Sequence, residues 1–581
     1  MNGLKRFRPI YLALGVVAAA LLAYGLWTRP EPQPKDAEGF SSARVVEDIK
    51  VISKENHSVA PKDTAARSQV REYLASRLME LGADTLMRFR YDSLQGPENK
   101  HVVYTFDAEN LVAEFHPAKK SDDTAYLMFV AHFDSRYSQP MPKDTVWSYG
   151  AADDGYGIGV TLETVSQLLK KREDWSQGVK VLFTDAEEVG MMGMKAQWAD
   201  SLGHQVFDNV GLMINLEARG PYGPCLLFET CPGNEKVMEL YADAADYKFT
   251  YSLTTVVYTF MPNFTDFTIV KDAIPGLNFS TICDVNHYHT DKDNFSNISE
   301  KSIQHYGAQV LPVAAEYVTN PAYADKDYFR AEEDTVNFTV PAFGLFNFSK
   351  IGYTIFCVAV FVIFLCLFAI DRVRGRLKAA KVFKTSGLVL LSAVGVMGFG
   401  VLVSWLCCLV AGAQFKPFGV IHGVKFDNIA MIAVTALMII IVGFIYMRKR
   451  SNAVRKSHNS MRSSASIAAA SHYAYNMLYG TLALMFILSA ALLLALGENL
   501  MFMVPLAFAT AGILLYRITS MRLWLLVAVF ATLLHAFSFL QALSMALTIG
   551  AFGAVLMLAF IDLMMIIPLS DLYMMPDKKR R

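Results

Sequence analysis

From residue 350 to 567 the chain is dominated by long apolar runs, more than a water-soluble core would hide. A hydrocarbon layer of roughly 30 Å is crossed by about 20 helical residues, because a helix satisfies its own backbone hydrogen bonds. Runs meeting this requirement lie at roughly 9–27, 350–370, 387–411, 428–447, 474–496, 499–516, 523–541 and 543–567, which predicts eight membrane helices. The first, PIYLALGVVAAALLAYGLW, follows Lys5, Arg6 and Arg8. Its 19 apolar residues are long for the core of a signal peptide, and WTRPEPQP lacks a small-residue cleavage pattern. It is read as an uncleaved anchor.

Basic residues set the expected orientation. With the N-terminus cytoplasmic, the short inner segments hold 21 Lys and Arg, whereas the short outer loops hold only Lys416 and Lys425. This places both termini in the cytoplasm and residues 28–349 outside. The expected organisation is an anchor (1–28), a Pro- and charge-rich tether (29–40), a soluble domain (41–325) and a juxtamembrane linker (326–349). A seven-helix membrane domain (350–567) and a basic cytoplasmic tail (568–581) complete it. A formal net charge of zero gives no reason to expect a nucleic-acid partner.

Within the soluble domain, strand-like runs fall at 101–106, 110–115, 125–132, 179–184, 210–217, 225–230 and 275–282. Helical patterns fall at 41–56, 63–82, 157–171, 192–202, 234–246, 265–273 and 299–319. Alternation with continuous apolar strands predicts an α/β fold, a mixed and largely parallel sheet with helices on both faces. In such sheets ligands bind at the carboxyl ends of the strands.

The chemistry-bearing residues fall at that edge. VAHFDSRY places His132 and Asp134 on one strand face, two residues apart, and GAADDGYG puts Asp153 and Asp154 at a Gly-rich turn opening a helix. KVLFTDAEEVG delivers Glu187 and Glu188, GLMINLEARGP ends a strand on Glu217, and HYHTDKDNF offers His287 and His289. Imidazoles and carboxylates converging at strand ends suit a divalent metal such as zinc. His287 is the weaker histidine, read as a surface or supporting residue.

HFDS, GAADDG, DAEEVG, NLEARG and YHTDKD, in this order, resemble the co-catalytic di-zinc aminopeptidase family, which includes bacterial leucine aminopeptidases and glutamate carboxypeptidases. The resemblance covers roughly 40–320, and TDFTIVKDAIPGLNFS with the following helices is similar to its membrane branch of endoplasmic reticulum metallopeptidases and fungal vacuolar membrane proteases. It implies two zinc ions per chain and a zinc-peptidase-like fold. Asp153 would bridge the metals, and a cis peptide would join it to Asp154. His132 and Glu217 would complete one site, Glu188 and His289 the other. Asp134 would orient the His132 ring, and Glu187 would be the general base. Many soluble relatives carry Asp where this chain has Glu217, which bears on zinc geometry more than on zinc binding.

The resulting expectation is a membrane-bound zinc exopeptidase acting on peptides, an aminopeptidase because acids outnumber arginines around the motifs. A glutaminyl-cyclase-like acyltransferase, a carboxypeptidase, and a receptor or transporter on an inactive peptidase fold are the competing readings. The complete ligand set disfavours the last and also the cyclase, which commonly shows Asp-Ser in place of Asp153-Asp154. Arg219 either reads a substrate carbonyl or carboxylate or pairs with Glu229. Of the seven cysteines, Cys225 and Cys231 have the option of a bridge in an oxidising compartment. A sequon at Asn278 inside an expected buried strand is read as chance, pointing to a bacterial inner membrane with a periplasmic catalytic domain. His535 and Asp562 stand in membrane helices without the paired or Gly/Pro-broken pattern of transporters. Anchoring, oligomerisation and shaping access to the site remain open roles for these helices.

Overall fold

The computed structural model describes residues 7–28, 30–96, 104–138, 146–259, 264–457 and 463–575. Lys5, Arg6, Lys578, Lys579, Arg580, Arg581 and the first residues of the expected strand 101–106 lie outside these. The chain divides into two compact units. One comprises Leu26–Thr339 and Phe343–Lys350, the other Met1–Gly25, Val340–Ala342 and Ile351–Arg581.

The first unit is built on a seven-stranded sheet: β1 (Thr85–Gln95), β2 (Thr105–Phe115), β3 (Tyr126–His132), β4 (Gly178–Thr184), β5 (Val210–Ala218), β6 (Tyr222–Thr230) and β7 (Gly276–Cys283). The spatial order is β1-β2-β4-β3-β5-β7-β6. β4, β3, β5 and β7 are mutually parallel, and the outer strands pair antiparallel. Every residue of β3, β4 and β7 is buried, so both faces of the sheet are covered and the strands read as continuous apolar runs. The helices Ser42–Ile52, Gly155–Leu169 and Glu300–Thr319 pack together, and Thr64–Glu80 and Met192–Ala199 lie against β1 and β2. The mixed, largely parallel fold expected from the sequence is present.

Several elements depart from expectation for identifiable reasons. β1 was not foreseen, because Arg88 and Arg90 interrupt its apolar content. It is a half-exposed edge strand whose arginines pair with Glu72, Glu109, Asp92 and Asp107, charges that also suit an edge. The expected break between 106 and 110 is absent, and β2 runs through it. Ser252–Thr259 is helical although SLTTVVYT is rich in β-favouring residues, an instance of tertiary context outweighing propensity. The expected linker 326–349 contains a hairpin, β8 (Thr335–Val340) and β9 (Gly344–Ser349). Cys225, Cys231 and Cys283 are buried free thiols, so no bridge joins the first two. Asn278 is buried and bonded to Asn215, Glu229 and Thr265.

Among the described residues, seven stretches are long and apolar enough to cross a membrane. The last, Leu523–Met574, is two helices, Leu523–Leu547 and Phe552–Met574, packed against each other. The break expected near 542 falls at Thr548–Ala551 instead. Thr548 takes φ +54°, and a Cβ on Gly550 would stand 1.8 Å from the Gly419 carbonyl oxygen, so the chain turns where another backbone approaches.

Candidate active site

Parallel strands deliver their carboxyl ends to one edge of the sheet, and the expected residues meet there. His132 is the last residue of β3, Glu217 lies near the end of β5, and Glu187 and Glu188 follow β4 in the turn after Thr184. His289 comes from the loop after β7, where it holds a φ of +56°. Asp153 precedes the helix Gly155–Leu169, and its peptide bond to Asp154 is cis.

These side chains form two ligand-type clusters that share one carboxylate: His132, Asp153 and Glu217, then Asp153, Glu188 and His289, each with donor atoms within 4.8 Å of one another. His132 Nε2 lies 3.2 Å from Asp153 Oδ1 and 3.9 Å from Glu217 Oε2. His289 Nε2 lies 3.3 Å from Asp153 Oδ2 and 3.0 Å from Glu188 Oε2. Asp153 Oδ2, Glu188 Oε1 and His289 Nε2 are buried without a hydrogen-bond partner. Buried polar atoms are normally satisfied, so orphans converging in this way fit a cation and its ligand set. His287 joins neither cluster and pairs with Asp284 at 3.1 Å.

The backbone around these side chains is pinned by other carboxylates. Asp134 accepts from the amides of Glu187 at 2.8 Å and Glu188 at 3.2 Å, while its carboxylate stands 3.6 Å from His132 Nδ1. That nitrogen is closer, at 3.0 Å, to the main-chain oxygen of Asp134. Asp134 therefore holds the glutamate turn as well as facing the ring. Asp154 caps the next helix by accepting from the Gly157 amide. Asp185 is buried and pairs with Arg67 at 3.2 Å.

Sequence reasoning missed several supporting residues. Asp293 accepts from the amides of Ala152 and Asp153, tying the Asp153 turn to the His289 loop. Its place in HTDKD was the available signal. The Tyr306 hydroxyl bonds both the amide and the carbonyl of Glu217, and nothing in the local sequence marks it. Arg136 donates to the Glu188 carbonyl and lies 3.5 Å from its carboxylate. Arg219 does not pair with Glu229, which is occupied by Lys271 at 2.6 Å and Asn278 at 2.9 Å. Its guanidinium lies 6.0 Å from the ring centre of Tyr288, which stacks on His289, and it has no carboxylate partner among the described residues.

Without metal, burial pushes the Glu187 and Glu217 carboxyls well above the usual carboxylate range. Against the same effect of burial, His289 and Arg136 hold Glu188 below it. Burial opposes the His132 imidazolium, but Asp134 and Asp153 raise it well above the ordinary histidine value. Bound dications would be the largest charges present and would invert this balance.

Residues 110–314 match the model of Peptidase family M28. Endoplasmic reticulum metallopeptidase 1 of Mus musculus is 29% identical over 231 residues, covering 39% of this chain and 24% of that protein. Vacuolar membrane protease of Candida dubliniensis is 26% identical over 290 residues, 48% of this chain and 29% of that protein. The match thus spans less than a third of either relative. Among solved structures, Porphyromonas gingivalis glutaminyl cyclase superposes with a TM-score of 0.38 at 19% identity, covering 48% of this chain and 100% of that one.

Asp293→Ala removes the acceptor for two amides beside Asp153 without touching a ligand-type atom. Divalent-metal affinity should fall about 10- to 100-fold with the fold retained, as read by chelator competition and circular dichroism.

Proposed function

We propose that this chain is a membrane-bound zinc exopeptidase that removes residues from the N-terminus of peptides, with 41–325 as its catalytic domain. The observation that carries this is the pair of ligand clusters sharing Asp153, with Glu187 adjacent. Asp153 would be held in common by two zinc ions, His132 and Glu217 completing one site and Glu188 and His289 the other. Two zinc ions so held supply Lewis acidity that polarises a peptide carbonyl and acidifies water. The match to a peptidase family and the metallopeptidase names of the relatives support the same reaction class.

The chain's own part is proton handling and placement. The Glu187 carboxylate makes no hydrogen bond among the described residues, whereas its amide is fixed by Asp134. It is thus positioned yet free to take a proton from the attacking water at a carboxylate oxygen and return it to the leaving amine. The surplus of carboxylates suits a substrate α-ammonium. Arg219, released from the expected pair with Glu229, is the cation available to a substrate carbonyl. The basic-residue asymmetry supports a catalytic unit on the non-cytoplasmic side with both termini cytoplasmic, and the sequon at buried Asn278 supports reading that side as the periplasm of a bacterium.

Glu187→Gln should keep its metal content and lose turnover by about 10²- to 10⁴-fold. Loss of metal on that substitution would mean that Glu187 and Glu188 exchange roles. N-acetylated peptides should resist cleavage, while C-terminal amidation should matter little. The reverse pattern would identify a carboxypeptidase and make Arg219 the first residue to substitute, and cyclisation of N-terminal glutamine without hydrolysis would identify an acyltransferase. Reporter fusions at Gly375 should read cytoplasmic and those at Gly412 external; a cytoplasmic reading within 40–320 would overturn the orientation.

A further inference from the structure

Between Asp334 and Lys350 the chain runs TVNFTVPAFGLFNFS, fifteen residues with four phenylalanines and no ionisable side chain. The ten residues before it, DKDYFRAEED, carry seven charges, so the change in character is abrupt. This stretch is the β8–β9 hairpin. β8 is buried along its whole length and is tied down by bonds from the Thr339 amide to the Thr250 carbonyl and from the Asn337 amide to the Ser252 hydroxyl. β9 lies outside it, with Phe346 and Phe348 stacked on Phe338 at 5.2 and 6.3 Å. At the turn, Ala342 at φ +65° and Gly344 at φ +88° project Phe343, which is 62% exposed; Phe346 is 36% exposed.

An uncharged hairpin that exposes phenylalanines at its tip and along its outer strand needs a partner. Its connection in the chain identifies it. Ser349, the last residue of β9, is followed directly by Lys350, the first residue of an apolar 24-residue helix long enough to span a bilayer, so that end of the strand is fixed at the level where the span begins. Aromatic rings are favoured at the boundary between headgroups and acyl chains, and Lys350 suits the same level.

We infer that the β8–β9 hairpin is an interfacial anchor whose partner is the lipid surface, with Phe343 and Phe346 lying in the headgroup–acyl boundary. It would give the catalytic unit an attachment to the bilayer besides the covalent ones at its two ends. This stands independently of the proposed activity.

The test is depth-resolved fluorescence on the full chain in phosphatidylcholine nanodiscs. Phe343→Trp and, separately, Phe346→Trp are introduced after Trp27, Trp405 and Trp524 of the apolar helices are replaced by Phe. Lipids brominated high on the acyl chain should quench the new tryptophan at least about twofold more than lipids brominated near the chain end, as expected for a shallow position. Equal or deeper quenching, or none from either lipid, would overturn the inference. Quenching by aqueous iodide as strong as for free tryptophan would do the same.

Discussion

Crowded negative charge is the constraint to which the first unit is fitted. Asp153, Glu187, Glu188 and Glu217 converge at one sheet edge, with His132, His289, Arg136 and Arg219 among the nearby groups able to carry positive charge. Two like charges about 4 Å apart repel by roughly 4 kcal/mol at an effective dielectric of about 20, so such a group cannot be left to find its own arrangement. The fold answers by fixing backbone rather than side chain. Asp134 takes the amides of the glutamate turn, Asp293 those of the Asp153 turn, and Asp154 that of the following helix. Tyr306 holds the strand at Glu217 from both its amide and its carbonyl.

Carboxylates therefore serve in two capacities here, separated by direction. Asp153 and Glu188, each with a buried oxygen that lacks a donor, belong to the two clusters, whereas Asp154 and Asp266, which have one as well, do not. Those whose oxygens accept amides, Asp134 and Asp293, turn towards the backbone and hold the others in place. The same residue type at neighbouring positions, such as Asp153 and Asp154, separates into one facing the centre and one capping a helix. Local chain geometry makes the distinction, which composition alone cannot.

That division marks what the sequence could disclose. His132, Glu188, Glu217 and His289 were legible because each ends or follows an apolar run, and strand ends of a parallel sheet share an edge. Tyr306 was not, since it sits amid an ordinary amphipathic helix and reaches Glu217 only through tertiary packing. Arg219 and Glu229 looked like partners because both flank the same motif, but Lys271 and Asn278 occupy the carboxylate. β1 and the helix Ser252–Thr259 escaped because charge interrupts one pattern and β-favouring residues compose the other. The hairpin within the expected linker was passed over because its neighbours are charged and its own strands are short.

In the membrane unit, apolar content predicted the helices but could not show how they are joined. They approach through small residues: a Cβ on Gly400 would stand 2.8 Å from Gly553 Cα, and one on Gly512 2.5 Å from the Ala528 side chain. Two carboxylates near helix ends are saturated, whereas Asp562 lies buried in the middle of Phe552–Met574. Asp371 accepts from Arg517 at 2.7 Å, Tyr479 at 2.7 Å and Arg376 at 2.8 Å, while Asp571 accepts from Arg450 at 2.7 Å and Tyr446 at 2.9 Å. Asp371 is thus enclosed by donors from two other helices and from the turn that follows its own, which resists any motion that separates them. Asp571 joins Asp427–Ser457 to Phe552–Met574 in the same way, so both carboxylates clasp neighbouring helices near their ends.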